Sequence, residues 1–176
     1  MKIIGLTGRK GSGKDAAATA LVRYTNLKLA EPLKTMLHAL LTYQEVPPDV
    51  IYEMLEGRLK ESPCKTFGGQ TPRHAMQTLG TEWGRDLMGK DFWVTMLKNK
   101  AQHYDCVVVT DVRFPNEVHA IEEMGGMIIR IVRPSLNVSD AHPSEVLIDT
   151  LPVHTEVIND GTLTDLQDTI RRLVDH

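Results

Sequence analysis

Within the first fourteen residues a short apolar run, Ile3-Ile4-Gly5-Leu6, passes into Gly8-Arg9-Lys10-Gly11-Ser12-Gly13-Lys14, and an Ala-rich segment beginning at Asp15 follows. This order of strand, glycine-rich turn and helix constrains the chain more than any other feature. Gly8, four residues, Gly13 and Lys14 have the spacing of a phosphate-binding loop in the context such a loop requires. The glycines let successive backbone N–H groups turn inward toward phosphate oxygens, the helix N-terminus adds partial positive charge, and Lys14 reaches the β- and γ-phosphates. Gly8, Lys10, Gly11, Ser12, Gly13, Lys14 and Asp15 are the expected nucleotide-contacting residues.

Short β-branched runs alternate with longer helical patterns along the rest of the chain, which predicts an α/β fold with a parallel sheet and crossover helices. Five strands are expected, at Lys2 to Thr7, Leu27 to Ala30, Asp105 to Thr110, Met127 to Val132 and Glu156 to Ile158. Helices are expected at Asp15 to Tyr24, from Pro32 to about Tyr43, after Pro47-Pro48, from Thr71 to about Leu87 and from Phe92 to Ala101. A closing helix capped by Thr162 or Thr164 places Leu166, Ile170 and Leu173 on one face. Glu56 to Gln70 and Pro134 to His154 read as loops or insertions.

A length of 176 residues suits one domain with a sizeable core, and 41% hydrophobic with 24% charged residues excludes a disordered tail protein. The longest apolar runs fall well short of the roughly 18 residues of a membrane span, so no membrane partner is expected and the protein should stay in the cytoplasm. Two cysteines, Cys64 and Cys106, argue against a disulfide framework. A net charge of -3 argues against a surface basic throughout but leaves room for a local basic cleft.

Asp15 stands where the general motif has Ser or Thr, whose hydroxyl ligates Mg²⁺. Two readings stay open: a carboxylate that holds the hard cation directly or through water, or one that merely favours the positive end of its helix. Asp111, closing the run Val107-Val108-Val109-Thr110, either supports Mg²⁺ beyond a strand's carboxyl end or is an ordinary turn residue there. Arg73, Arg85, Arg113 and Arg133 are candidates for phosphate recognition, since a guanidinium fork pairs bidentately with phosphate oxygens. Gln77 shares a helical face with Arg73. Trp83 either stacks on a base or belongs to the core with Met76 and Leu79. The stretch from Pro134 to His154, with Asp140, His142, Ser144 and Glu145, could close over a triphosphate and exclude water.

At these residues the chain resembles the bacteriophage-type deoxynucleoside monophosphate kinases, a branch of the P-loop kinases. The resemblance rests on GRKGSGKD (Gly8 to Asp15), LAEPLK (Leu29 to Lys34), TPRHAMQTLGTEWGRD (Thr71 to Asp86), TDVRFPNE (Thr110 to Glu117) and HPSE (His142 to Glu145), in this order over nearly the whole chain. It implies a single kinase domain with a five-stranded parallel sheet, an acceptor-binding helical insertion at about 31–90, a lid at about 134–154, and ATP and Mg²⁺ as cofactors. It also implies that Lys14 stabilises the transferring phosphoryl group, with Arg113 and Arg133 assisting. Arg73, Gln77, Trp83, Arg85 and Glu117 are then the residues of the acceptor site, Arg85 or Arg113 holding the acceptor's phosphate. The acceptor is expected to be a deoxynucleoside monophosphate, and a homodimer is compatible with the pattern. Phage kinases that phosphorylate 5-hydroxymethyluracil in DNA look similar, which leaves modified DNA as a second acceptor. A nucleotide-binding switch with no acceptor is the reading from another class.

Overall fold

A computed structural model describes residues 1–136 and 148–174. The chain divides into two compact units, Met1–Leu29 with Leu97–His176, and Ala30–Met96.

The first unit is built on a five-stranded, wholly parallel sheet of β1 (Lys2–Thr7), β2 (Thr25–Leu27), β3 (Cys106–Val109), β4 (Met127–Val132) and β5 (Thr155–Ile158), in the order β2-β3-β1-β4-β5. β1 is central because it can be: Ile3, Ile4 and Leu6 are buried along with Thr7, as a strand covered on both faces requires. β3 and β4 carry the same β-branched signature, with Val107, Val108, Ile128 and Ile129 at most 1% exposed. Helices of this unit include α1 (Lys14–Ala18), the C-terminal part of α5 (Phe92–Ala101), α6 (Pro115–Glu123) and α7 (Leu163–Val174). Leu166 and Ile170 of α7 join Ala17, Ala18 and Leu21 in one core with β1, β4 and β5.

β1, β4 and α5 fall at their expected bounds, β3 is one residue shorter at each end and β5 starts one residue earlier, while three elements differ more. β2 ends at Leu27, rather than running from Leu27 to Ala30, because the N–H of Leu29 donates to Asp111 Oδ1 at 2.8 Å instead of to a neighbouring strand. α1 stops at Ala18, not Tyr24: Ala20 and Leu21 make short-range i→i−3 bonds, to Ala17 and Ala18, and both side chains turn into the core. The pattern of the sequence names no helix at 115–123, yet α6 forms there, with Pro115 in its first turn. α7 begins as the capping signal suggests, with Thr162. The Oγ1 accepts from Asp165 N at 3.2 Å, and the reciprocal bonds from Thr162 hold the Asp165 carboxyl below its usual pKa.

The second unit is helical: α2 (Glu31–Tyr43), α3 (Pro48–Leu55), α4 (Pro72–Thr78) and a π-helical stretch, Leu79–Leu87, that continues α4. Leu37 and Leu41 of α2 face Ile51, Met54 and Leu55 of α3. The segment Glu56 to Gln70, expected as a loop, contains two short 3-10 turns, Arg58–Glu61 and Lys65–Phe67. The helix expected from Thr71 to Leu87 is present but widens to i→i+5 bonding after Thr78, as in Met88 N to Trp83 O at 3.0 Å. Gly84 faces Trp93, whose indole N–H donates to the Gly80 carbonyl at 2.8 Å. A side chain at 84 would collide with that ring. The buried indole thus donates its hydrogen bond to a carbonyl inside the widened stretch.

Among the described residues no helix is long and apolar enough to cross a membrane.

Candidate active site

Every strand of the first unit delivers its next residues to the same edge of the sheet, since all five run parallel. β1 leads into Gly8–Lys14, β2 into Lys28 and Leu29, β3 into Asp111, β4 into Arg133 and β5 into Asn159. β1 is flanked by β3 on one side and β4 on the other, so the glycine-rich loop leaves the sheet where the connections diverge. That crevice is where open parallel sheets bind ligands.

Three glycines of the loop have positive φ, at 139° for Gly8, 80° for Gly11 and 106° for Gly13, backbone states that other residues adopt at a cost. The Lys14 ammonium donates to the Gly8 carbonyl at 2.6 Å and the Arg9 carbonyl at 2.8 Å, which centres its charge on the loop. Ser12 is 1% exposed and its hydroxyl has no hydrogen-bond partner. This orphaned hydroxyl and the Gly11 backbone, exposed and open enough for a Cβ to meet nothing closer than 3.5 Å, fit a loop shaped for phosphate oxygens. α1 has only five residues, so the concave run of loop amides, more than a helix dipole, supplies the positive potential. Lys10 is exposed, and Arg9 is committed to an ion pair with Asp149, Nε to Oδ2 at 3.1 Å.

The two carboxylates expected to serve a metal are tied to consecutive residues. Lys28 Nζ lies 3.4 Å from Asp15 Oδ1, and the N–H of the next residue, Leu29, donates to Asp111 Oδ1. Asp15 has a side chain 80% exposed, while Asp111 is half-buried. Among the described residues no three His, Cys, Asp or Glu side chains cluster as a metal cage. One or two carboxylates completed by phosphate oxygens and water are the donor set that Mg²⁺ commonly takes, so the residues present fit that ion.

Arg113 and Arg133 are both exposed at the sheet's carboxyl edge. Glu117, expected among the acceptor-contacting residues, is 2% exposed; its carboxylate accepts from Arg113 N at 2.7 Å and Phe114 N at 3.1 Å. It caps α6 and fixes the backbone that carries Arg113, so its part in the site is positioning rather than contact.

The other residues expected to contact an acceptor lie in the helical unit. Arg73 is ion-paired with Glu61, and Gln77 is exposed on the same face of α4. Trp83 meets Phe92 edge-to-face at 5.3 Å and Trp93 at 6.1 Å, which makes it a member of an aromatic cluster. Arg85 is half-buried. Sequence reading passed over Lys34 and Lys60, which share Glu56 at 2.6 and 3.7 Å. Burial, with Lys34 and then Arg73 nearby, lowers the Lys60 pKa against the opposing pull of Glu56. Three cations around two carboxylates leave this patch short of negative charge. Asp140, His142, Ser144 and Glu145 lie outside the described residues.

Comparison with known proteins agrees with this geometry. Residues 68–170 match the family model described as deoxynucleotide monophosphate kinase. A protein of Acanthamoeba polyphaga mimivirus, provisionally named as such a kinase, is 34% identical over 100% of this chain and 97% of its own length. The deoxynucleoside-5'-monophosphate kinase of Escherichia phage T5 is 32% identical over 51% of the chain, a match that spans only 39% of the phage protein. The crystal structure of TT1252 from Thermus thermophilus superposes with a TM-score of 0.51 at 16% identity, covering 98% of this chain and 96% of that one, and so shares the fold.

Proposed function

Because the chain belongs to the deoxynucleotide monophosphate kinase family, we propose that it transfers the γ-phosphoryl group of ATP to 2'-deoxynucleoside 5'-monophosphates, yielding diphosphates. The observation that carries this reading is Lys14, its ammonium held by the carbonyls of Gly8 and Arg9 inside a loop of three positive-φ glycines.

Direct phosphoryl transfer asks little covalent work of the protein, so these side chains act by positioning and charge. Loop amides and Lys14 hold the donor's phosphates, and Lys14 offsets the charge that accumulates on the moving group. Asp15 and Asp111 would hold Mg²⁺, which would supply positive charge to neutralise phosphate oxygens. Arg113 and Arg133 stabilise the transferring group from the same edge of the sheet. The helical unit, Ala30–Met96, carries the acceptor: Arg73, Gln77 and Arg85 bind the monophosphate, and the net positive patch of Lys34, Lys60 and Arg73 supports an anion there.

Incubation of the protein with ATP and a panel of deoxynucleoside monophosphates, beside DNA containing 5-hydroxymethyluracil, tests the reading. Diphosphate products with no label on the DNA are expected. Label on the DNA and none on any free nucleotide transfers the assignment to a DNA-base kinase, and turnover of neither removes both.

Asp15→Ala should lower Mg²⁺-dependent turnover roughly tenfold while changing nucleotide affinity without metal less than about twofold. Equal losses in the two measurements assign Asp15 to loop structure instead.

A further inference from the structure

The geometry points to Asn159, which follows β5, as the positioning residue that orients the Ser12-Gly13 peptide so that the Gly13 N–H faces the donor's phosphates. The inference rests on the phosphate loop being the ATP site.

Asn159 is fixed before it acts. Its backbone N–H donates to the Val132 carbonyl at 2.7 Å, extending the β4–β5 ladder by one residue beyond Ile158 and holding the side chain at the carboxyl edge. From there the amide Nδ2 donates to the Ser12 carbonyl at 2.8 Å. A carbonyl only accepts, so the atom facing it is the NH₂ and not the amide oxygen. In a planar trans peptide the C=O and the following N–H point in opposite directions. Drawing the Ser12 oxygen toward Asn159 therefore turns the Gly13 N–H away from Asn159 and toward the other side of the loop.

An external clamp is needed at this peptide because its own residues do not choose the orientation. Gly13 sits at φ 106° and ψ 16°, and glycine tolerates either sign of φ, so the preceding peptide rotates at small cost. Three other carbonyls of the loop have their own anchors. Those of Gly8 and Arg9 accept from Lys14, and that of Gly13 accepts from Ala17 N at 2.8 Å. The Ser12 carbonyl receives its bond from a residue 147 positions away. A Ser12 oxygen rotated inward would present a negative dipole to phosphate and withdraw one donor. Glycine is required on the loop side as well: a Cβ at position 13 would stand 2.5 Å from Asn159 Nδ2. A side chain at position 13 would therefore displace the amide that holds the Ser12 carbonyl.

The test uses Asn159→Ala and Asn159→Asp in the full chain. Asn159→Ala removes the clamp; Asn159→Asp keeps the shape but sets a carboxylate oxygen against a carbonyl oxygen. Dissociation constants for ATP and ADP are measured by titration calorimetry without acceptor, with hydrogen exchange of the Gly13 amide in the nucleotide-free protein, melting temperature, and KM for the monophosphate. Expected are an ATP affinity about tenfold weaker for Asn159→Ala and weaker still for Asn159→Asp, faster Gly13 exchange, and a monophosphate KM within twofold of the parent. Unchanged ATP affinity in both variants overturns the inference. So does a parallel loss of ATP affinity and monophosphate KM with a collapsed melting temperature, or failure of both variants to fold, either of which makes Asn159 a general structural residue. Because nucleotide affinity is read without acceptor, a parent protein that binds ATP but phosphorylates no monophosphate defeats the functional reading and leaves this one standing.

Discussion

Replacing Lys14 with methionine is expected to lower kcat/KM for ATP by roughly 10²- to 10⁴-fold while the melting temperature falls by only a few degrees. The two effects separate because the ammonium has two unequal tasks. Without nucleotide it donates to the carbonyls of Gly8 and Arg9 at 2.6 and 2.8 Å. Both bonds are only part-buried, so losing them costs about 1 kcal/mol rather than the full penalty of stranded polar groups. During transfer the same charge faces phosphoryl oxygens whose negative charge is redistributing, in a site where preorganised charge is worth far more. Methionine keeps the length and apolar stem of the side chain and removes only the charge. Arginine is not expected to rescue: its planar fork carries charge farther from the stem and needs room that the two carbonyls occupy. Steady-state kinetics with ATP varied at saturating monophosphate, beside a thermal melt, decide the matter. Turnover within tenfold of the parent would remove Lys14 from the chemistry.

Much of this site was legible because its signals are local. The spacing from Gly8 to Lys14, the apolar run of β1 and the Asp after β3 each lie within a few residues, and the parallel sheet then carries them to one edge. What escaped was carried by distant partners. β2 ends three residues earlier than expected because Asp111, 82 positions from Leu29, takes that residue's N–H from the sheet. Asn159 reads locally as an ordinary polar residue after a strand, and only its bond to Ser12 connects it to the loop. The π-helical turn at Leu79–Leu87 depends on Trp93, whose indole claims the Gly80 carbonyl and lies against Gly84. Glu117 was legible as part of the motif but not in its role. Only the folded chain shows its carboxylate turned onto the amides of Arg113 and Phe114. α6 had its own signal in Pro115 and Glu117, a proline in the first turn with an acidic residue two positions on.

The glycines of the loop are not equivalent, and substituting them singly should separate steric necessity from conformational preference. Gly8 lies at φ 139°, and a Cβ there would overlap the backbone carbonyl oxygen of Ile131 in β4 while crowding Ser12 Oγ at 2.8 Å. Neither neighbour can yield cheaply. Ile131 is fixed in the sheet through its pairing with Val157, and Ser12 is buried with its carbonyl held by Asn159. Gly8→Ala therefore combines a backbone strain of about 1 to 3 kcal/mol with an overpacking cost of similar size, roughly 3 kcal/mol or more together. Gly11 at φ 80° carries the strain alone, since the nearest atom to its Cβ is Leu136 Cδ2 at an ordinary 3.5 Å, so Gly11→Ala should cost about 1 kcal/mol. Urea unfolding of the two variants beside the parent measures the difference. The loop is joined to β4 by close backbone approach at Gly8, so its loss should loosen the sheet edge that carries Arg133 and lower nucleotide affinity together with stability. Equal destabilisation by the two alanines would mean that the contact with Ile131 relaxes freely and that positive φ alone explains both glycines.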